Sequence, residues 1–160
     1  MLFATLPVAV KPELFMFIEQ EIDADALAAI CLSPEDFEEA AEALLLLERK
    51  NRPLAGKVAL EVLTARIGDI YYRAHAFDVL YSAALEVAIE YIEMHASTES
   101  VYVLGTMLES VMEDSSVFEG RDKILKAVSL LRKAVGARPQ DELDSIAEQI
   151  ALFEVTYKYG

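Results

Sequence analysis

Three sets of side chains in the 160-residue chain have the types and spacing to do chemistry. His75 and Asp78 stand three apart, so on a helix the carboxylate can orient the imidazole as a general-base couple. The sequence places no serine or cysteine nucleophile beside them. Glu86, Glu90 and Glu93 share one helix face, yet a di-iron or di-manganese carboxylate centre also needs Glu-x-x-His pairs on facing helices. The chain has no such pair. Cys31, the only cysteine, lies in the apolar run ALAAICL with no lysine or arginine between Lys11 and Arg49. It reads as a small hydrophobe, not as an activated thiolate. A Gly-rich phosphate loop, CxxC and HExxH are all missing. The expectation is a protein that binds, not an enzyme, with no cofactor, no metal and no catalytic residue.

The carboxylates far outnumber what any such centre needs. The chain carries 28 acidic and 14 basic side chains, a formal net charge of -14. Eleven acids and no lysine or arginine lie between Pro12 and Glu48, and nine acids and again none between Ala74 and Gly120. Six basic residues fall between Arg49 and Arg73, and six more between Arg121 and Arg138. One explanation is that helices of opposite sign pack as neighbours and pair along their rims, each exposed pair contributing about 0–1 kcal/mol. The other is that some acids form a surface for a cationic partner. A groove for nucleic acid needs the opposite sign, so no direct nucleic-acid contact is expected, and the basic helix after Gly120 is read as facing acidic neighbours or water.

Helices must position these groups. Apolar residues make up 54% of the chain and glycine and proline are scarce, so residues 1–160 read as a single domain with a substantial core. No stretch alternates with a strand's period of two, and the class is all-α. Lys11-Pro12 opens a helix to about Ile22, with Leu14, Phe15, Phe17 and Ile18 buried. Asp23 caps a short helix through Cys31. Ser33-Pro34-Glu35-Asp36 starts one running to Arg49, with Phe37, Ala41, Leu44, Leu45 and Leu47 inward. Pro53 opens the next, which Gly68 ends. A hairpin follows, Asp69 to Met94, turning near Tyr81 to Ala83. Ser97 or Thr98 caps a helix to Asp114, Ser115 to Gly120 forms a loop, and helices over Arg121 to Val135 and Asp141 to Tyr157 complete the chain. No apolar run reaches the roughly 20 residues of a membrane span. The apolar start MLFATLPVAV lacks a basic leader region and is broken by Pro7; it is expected to dock on the first helices, with a cleaved signal as the alternative. The lone cysteine fits the cytoplasm.

The hairpin is the unit the rest repeats. From Asp69, the residues Tyr72, Arg73, Ala76, Val79 and Leu80 fall at plus three, four, seven, ten and eleven. This order of acid, apolar-arginine pair, alanine and closing apolar pair resembles the inner helix of a HEAT repeat. The resemblance implies structural roles for Asp69 and Arg73. A shift of 31 places lays Ile70 on Val101, Tyr71 on Tyr102, Phe77 on Leu108, Asp78 on Glu109 and Leu80 on Val111. A period near 30 is in the range of stacked helical hairpins, though shorter than the roughly 40 usual for HEAT. Arg73 falls on Leu104, a mismatch. The expected architecture is a short HEAT-like stack of antiparallel hairpins, about seven to eight helices, with an irregular bundle as the alternative.

In that frame Tyr71, His75 and Asp78 form one helical stripe, and Tyr102, Thr106, Glu109 and Glu113 form the equivalent stripe one repeat later. Inner helices of a HEAT-like stack line a concave groove, and tyrosines among carboxylates would draw in and anchor a basic protein surface. Small, acidic helical domains without enzyme motifs are similar to the immunity proteins that neutralise bacterial toxins, many of them basic nucleases. The similarity implies a basic toxin domain as partner and occlusion of its active or substrate-binding surface as mechanism. Two alternatives differ in class: a homodimeric adaptor joined through the wide apolar helix Ala84 to His95, and a small-ligand binder or enzyme using His75 and Asp78.

Overall fold

Helices begin where short polar side chains can accept from free backbone N–H groups. Asp23 accepts from the Ala26 amide at 2.7 Å, Asp36 from Glu38 at 2.8 Å and Glu39 at 3.1 Å, and Asn51 from Leu54 at 3.2 Å. Asp69 accepts from Tyr72 at 2.8 Å and Ser100 from Val103 at 3.3 Å. The computed structural model describes residues 22–114 and 121–157. Within them lie α1 (Ala24–Leu32), α2 (Phe37–Lys50), α3 (Arg52–Thr64), α4 (Ile70–Ala83), α5 (Leu85–His95), α6 (Val101–Met112) and α7 (Arg121–Gly136). A short turn of helix, Gln140–Leu143, and a 3-10 turn, Asp144–Ile146, lead into α8 (Ala147–Tyr157). No strand occurs among the described residues, and the fold is all-α.

The helices sort into two rows. α2 packs on α4, α4 on α6 and α6 on α8, while α1 packs on α3 and α5 on α7. Chain neighbours join the rows, most extensively α3 with α4. Contacts along the first row advance in step. Phe37 stacks on Tyr72 and Ser82 reaches Glu48, so α2 and α4 run the same way. Tyr71 meets Tyr102 at one end and Tyr81 meets Asp114 at the other, so α6 runs parallel to α4. α4 is the hub, touching α2, α3, α5 and α6. Its Phe77 is fully buried and tilts against the rings of Tyr81 and Tyr91.

The turn into α4 explains two side chains. Arg66 (φ 54°) and Gly68 (φ 81°) both adopt the left-handed conformation. A Cβ on Gly68 would stand 2.6 Å from Tyr72 Cδ2, so glycine is required there. Arg73 donates to the Gly68 carbonyl at 2.9 Å and ties helix to turn, as its expected structural role requires. A second tie joins the end of α7 to the turn between α5 and α6. Arg138, on the segment after α7, donates to the carbonyls of Ala96 (2.9 Å) and Glu99.

Several boundaries differ from the sequence expectations. Asp36, not Ser33, caps α2, because Ser33 closes α1 through its amide on the Ala29 carbonyl. Ala40, Ala43, Leu44 and Leu47 face the core, while Phe37 and Leu45, expected inward, are each 41% exposed. Ser100, not Ser97 or Thr98, caps α6, since the amides of Thr98 and Glu99 still turn back onto the His95 carbonyl. Met94 and Leu125, although apolar, are exposed. The last helix is interrupted by the 3-10 turn and starts at Ala147. The expected helix Pro12–Ile22, the docked apolar start and the loop 115–120 lie outside the described residues apart from Ile22. No helix among the described residues is long and apolar enough to cross a membrane.

Candidate functional site

The two stripes meet. Tyr71, His75 and Asp78 on α4, Tyr102, Thr106 and Glu109 on α6, and Glu113 at the α6 C-cap all line one open groove of about 260 Å³. The cause is local. Asp69 and Ser100 cap α4 and α6 exactly 31 residues apart, so equivalent positions of the two helices start in phase and stay in phase. The same phase buries Phe77 with Leu108 and Leu80 with Val111 behind the groove. One face of each helix enters the core, and the next stripe round is left at the surface.

The stripes do not behave uniformly. Tyr71 and Tyr102 meet edge to face, ring centroids 4.7 Å apart and planes at 71°. They remain 62% and 46% exposed, an aromatic pair with one side open to solvent. His75 is half-buried and its Nε2 lies 3.2 Å from the Ala41 carbonyl, against α2. The His75–Asp78 couple considered from spacing does not form. Asp78 instead accepts from the Ser110 hydroxyl at 3.3 Å, across the groove. Thr106 donates back to the Tyr102 carbonyl of its own helix. Glu109 and Glu113 are exposed. Among the described residues, no ion pair joins Asp78, Glu109 or Glu113.

Elsewhere acids do find partners. On α5, Glu86 pairs with Lys123 and Glu93 with Lys126 at 3.2 Å, both lysines lying on α7. The Lys123 ammonium holds the Glu86 carboxyl below its ordinary range, first through the hydrogen bond and then through its charge. Glu99 is the one buried carboxylate among the described residues. It accepts from the Tyr91 hydroxyl at 2.5 Å and the Ser100 amide at 2.9 Å. Burial and the Glu99 carboxylate push the Tyr91 phenol upward, so it stays a donor. Burial likewise pushes the Cys31 thiol up to about 11, which keeps it protonated and unreactive near neutrality.

A second cavity of about 370 Å³ continues the groove past Asp78, Ser110 and Glu113 to Tyr81, Ser82, Leu85 and Asp114. These residues were not anticipated. Ser82 was findable, because it extends the α4 stripe by four residues and falls on Glu113 after a shift of 31. Tyr81 and Asp114 were not, since they are joined only by a hydrogen bond of 2.7 Å between helices. No group of three or more metal-ligating side chains is assembled among the described residues. The wide apolar face of α5 is used inside the chain, where Ala88, Ile89, Tyr91 and Ile92 are buried. α5 packs there on α4 and α7, as a face that wide implies. Compared with protein-family models, with curated proteins and with solved structures, the chain finds no match.

Proposed function

We propose that this protein binds a basic protein partner through the groove between α4 and α6 and works by covering that partner's surface. One observation carries the reading: among the described residues Asp78, Glu109 and Glu113 have no ion-pair partner and lie beside an exposed tyrosine pair, whereas Glu86 and Glu93 of α5 are matched by lysines of α7. Unmatched carboxylates in a concave site focus a negative field and speed encounter with a cationic surface, and the tyrosines supply contact area once it arrives. Within that class the reading is an immunity protein, HEAT-like in build, that occludes the active or substrate-binding surface of a basic bacterial toxin such as a nuclease. A cytoplasmic location goes with it.

The test is a tagged pull-down from the cells that make the protein, washed at low and then high salt, beside the double variant Glu109→Lys/Glu113→Lys. The expected result is one basic protein that the native chain retains at low salt, releases as salt rises, and that the variant does not retain. Equal retention by both forms sinks the groove. Recovery of the protein alone at every salt turns the reading to a homo-oligomeric adaptor.

A further inference from the structure

We infer, resting on the reading above, that the segment this groove receives is a basic helix lying antiparallel to α4 and α6, its cationic N-terminal half at the Asp78 and Glu113 end and an apolar side chain on the tyrosine pair.

Length, polarity and spacing each point that way. The two cavities share Asp78, Ser110 and Glu113, so they form one trough from Tyr102 to Asp114. Twelve residues of helix rise about 18 Å, the length of about twelve residues of a guest helix laid alongside. The trough has two unlike ends. One holds the exposed rings of Tyr71 and Tyr102; toward the other stand Asp78, Glu109 and Glu113. Because α4 and α6 are parallel, both also terminate at the acidic end, at Ala83 and Met112. The Ser82 carbonyl there accepts from the Arg52 guanidinium at 2.8 Å and the Val111 carbonyl from the Tyr157 hydroxyl at 2.6 Å, so the three carboxylates set the polarity of that end. A guest helix brings partial positive charge at its own N-terminus, so only the antiparallel orientation sets unlike ends together. Glu109 and Glu113 are one turn apart, which matches lysines or arginines at i and i+4 of the guest. An extended segment would also span the trough, but it has no end-to-end dipole to orient it.

Two synthetic peptides of identical composition decide the matter, each held helical by a side-chain staple and carrying a spin label at its N-terminus. One has two lysines at i and i+4 in its first half and a leucine in its second; the other has the order reversed. The first is expected to bind the intact protein about tenfold more tightly, a difference of about 1.4 kcal/mol. Its label should broaden the amide signals of Ser82 and Glu113 and spare those of Tyr71 and Tyr102. Equal affinity, with the label reaching both ends, overturns the directed helix while leaving the acidic groove standing. Absence of binding by either peptide, or binding that Glu109→Lys/Glu113→Lys leaves unchanged, overturns the groove reading together with the inference.

Discussion

Glu86 and Glu93 of α5 and the acids of the α4–α6 groove come from the same basic-free stretch of chain, Ala74 to Gly120, yet they end in opposite circumstances. Glu86 and Glu93 face α7 and are matched by Lys123 and Lys126. Asp78, Glu109 and Glu113 lie on the other row, between two helices that supply no cation to them. Composition therefore says little about which charges are available to a partner. The row in which a helix packs decides whether its carboxylates meet lysines of the same molecule or of another.

That contrast can be broken at either end. The largest effect is expected from Glu109→Lys/Glu113→Lys, which should weaken binding of the basic partner by about 100-fold, or ~2.7 kcal/mol, with helicity unchanged by circular dichroism. Full affinity in a folded variant would equate the groove acids with those of α5. Next is the buried carboxylate, a third situation for an acid. Tyr91→Phe leaves Glu99 without its hydroxyl donor and should cost about 1–3 kcal/mol in denaturant melts without touching affinity. The same tyrosine gives a pH test. Its folded pKa is raised, so its contribution is complete below about pH 10 and is lost as pH rises further, when the unfolded chain ionises first. Tyr91→Phe should show a shallower alkaline decline than the native chain. An unaltered decline would remove Tyr91 from that account.

Smaller again, Tyr102→Ala should loosen the partner by about tenfold through lost aromatic contact, read by titration calorimetry. An unchanged heat of binding would confine the site to its acidic end. The smallest effect is expected from Glu86→Lys/Glu93→Lys. This variant sets like charges against α7 and should lower the melting temperature by no more than a few degrees, the difference shrinking in high salt, with affinity intact. A loss of binding as large as that of the groove variant would erase the distinction between the two regions.

Much of this was legible before any coordinates. The cap at Asp69 and the 31-residue shift place the stripes of α4 and α6, because helical phase is set by where a helix starts and by a period near 3.6 residues. The expected site residues were found together for that reason. What failed did so where capping chemistry had rivals. Ser33 and Asp36 both suit a helix start, and the Ser33 amide is taken by the Ala29 carbonyl of α1, which leaves the cap to Asp36. Ser97, Thr98 and Ser100 offered three starts for α6, and hydrogen bonds onto the His95 carbonyl selected the last. The His75–Asp78 couple failed differently, since spacing takes no account of the carbonyl that α2 presents to the imidazole.

The helical class and the in-phase stripes follow from local capping and short-range periodicity, and the segregation of charge is written in the order of residues. Tertiary structure alone decided that α7 neutralises α5, that Asp114 closes on Tyr81, and that the groove acids meet no cation among the described residues. Those outcomes depend on which helices become neighbours across the two rows, and side chains more than 30 residues apart make contacts that no local period encodes.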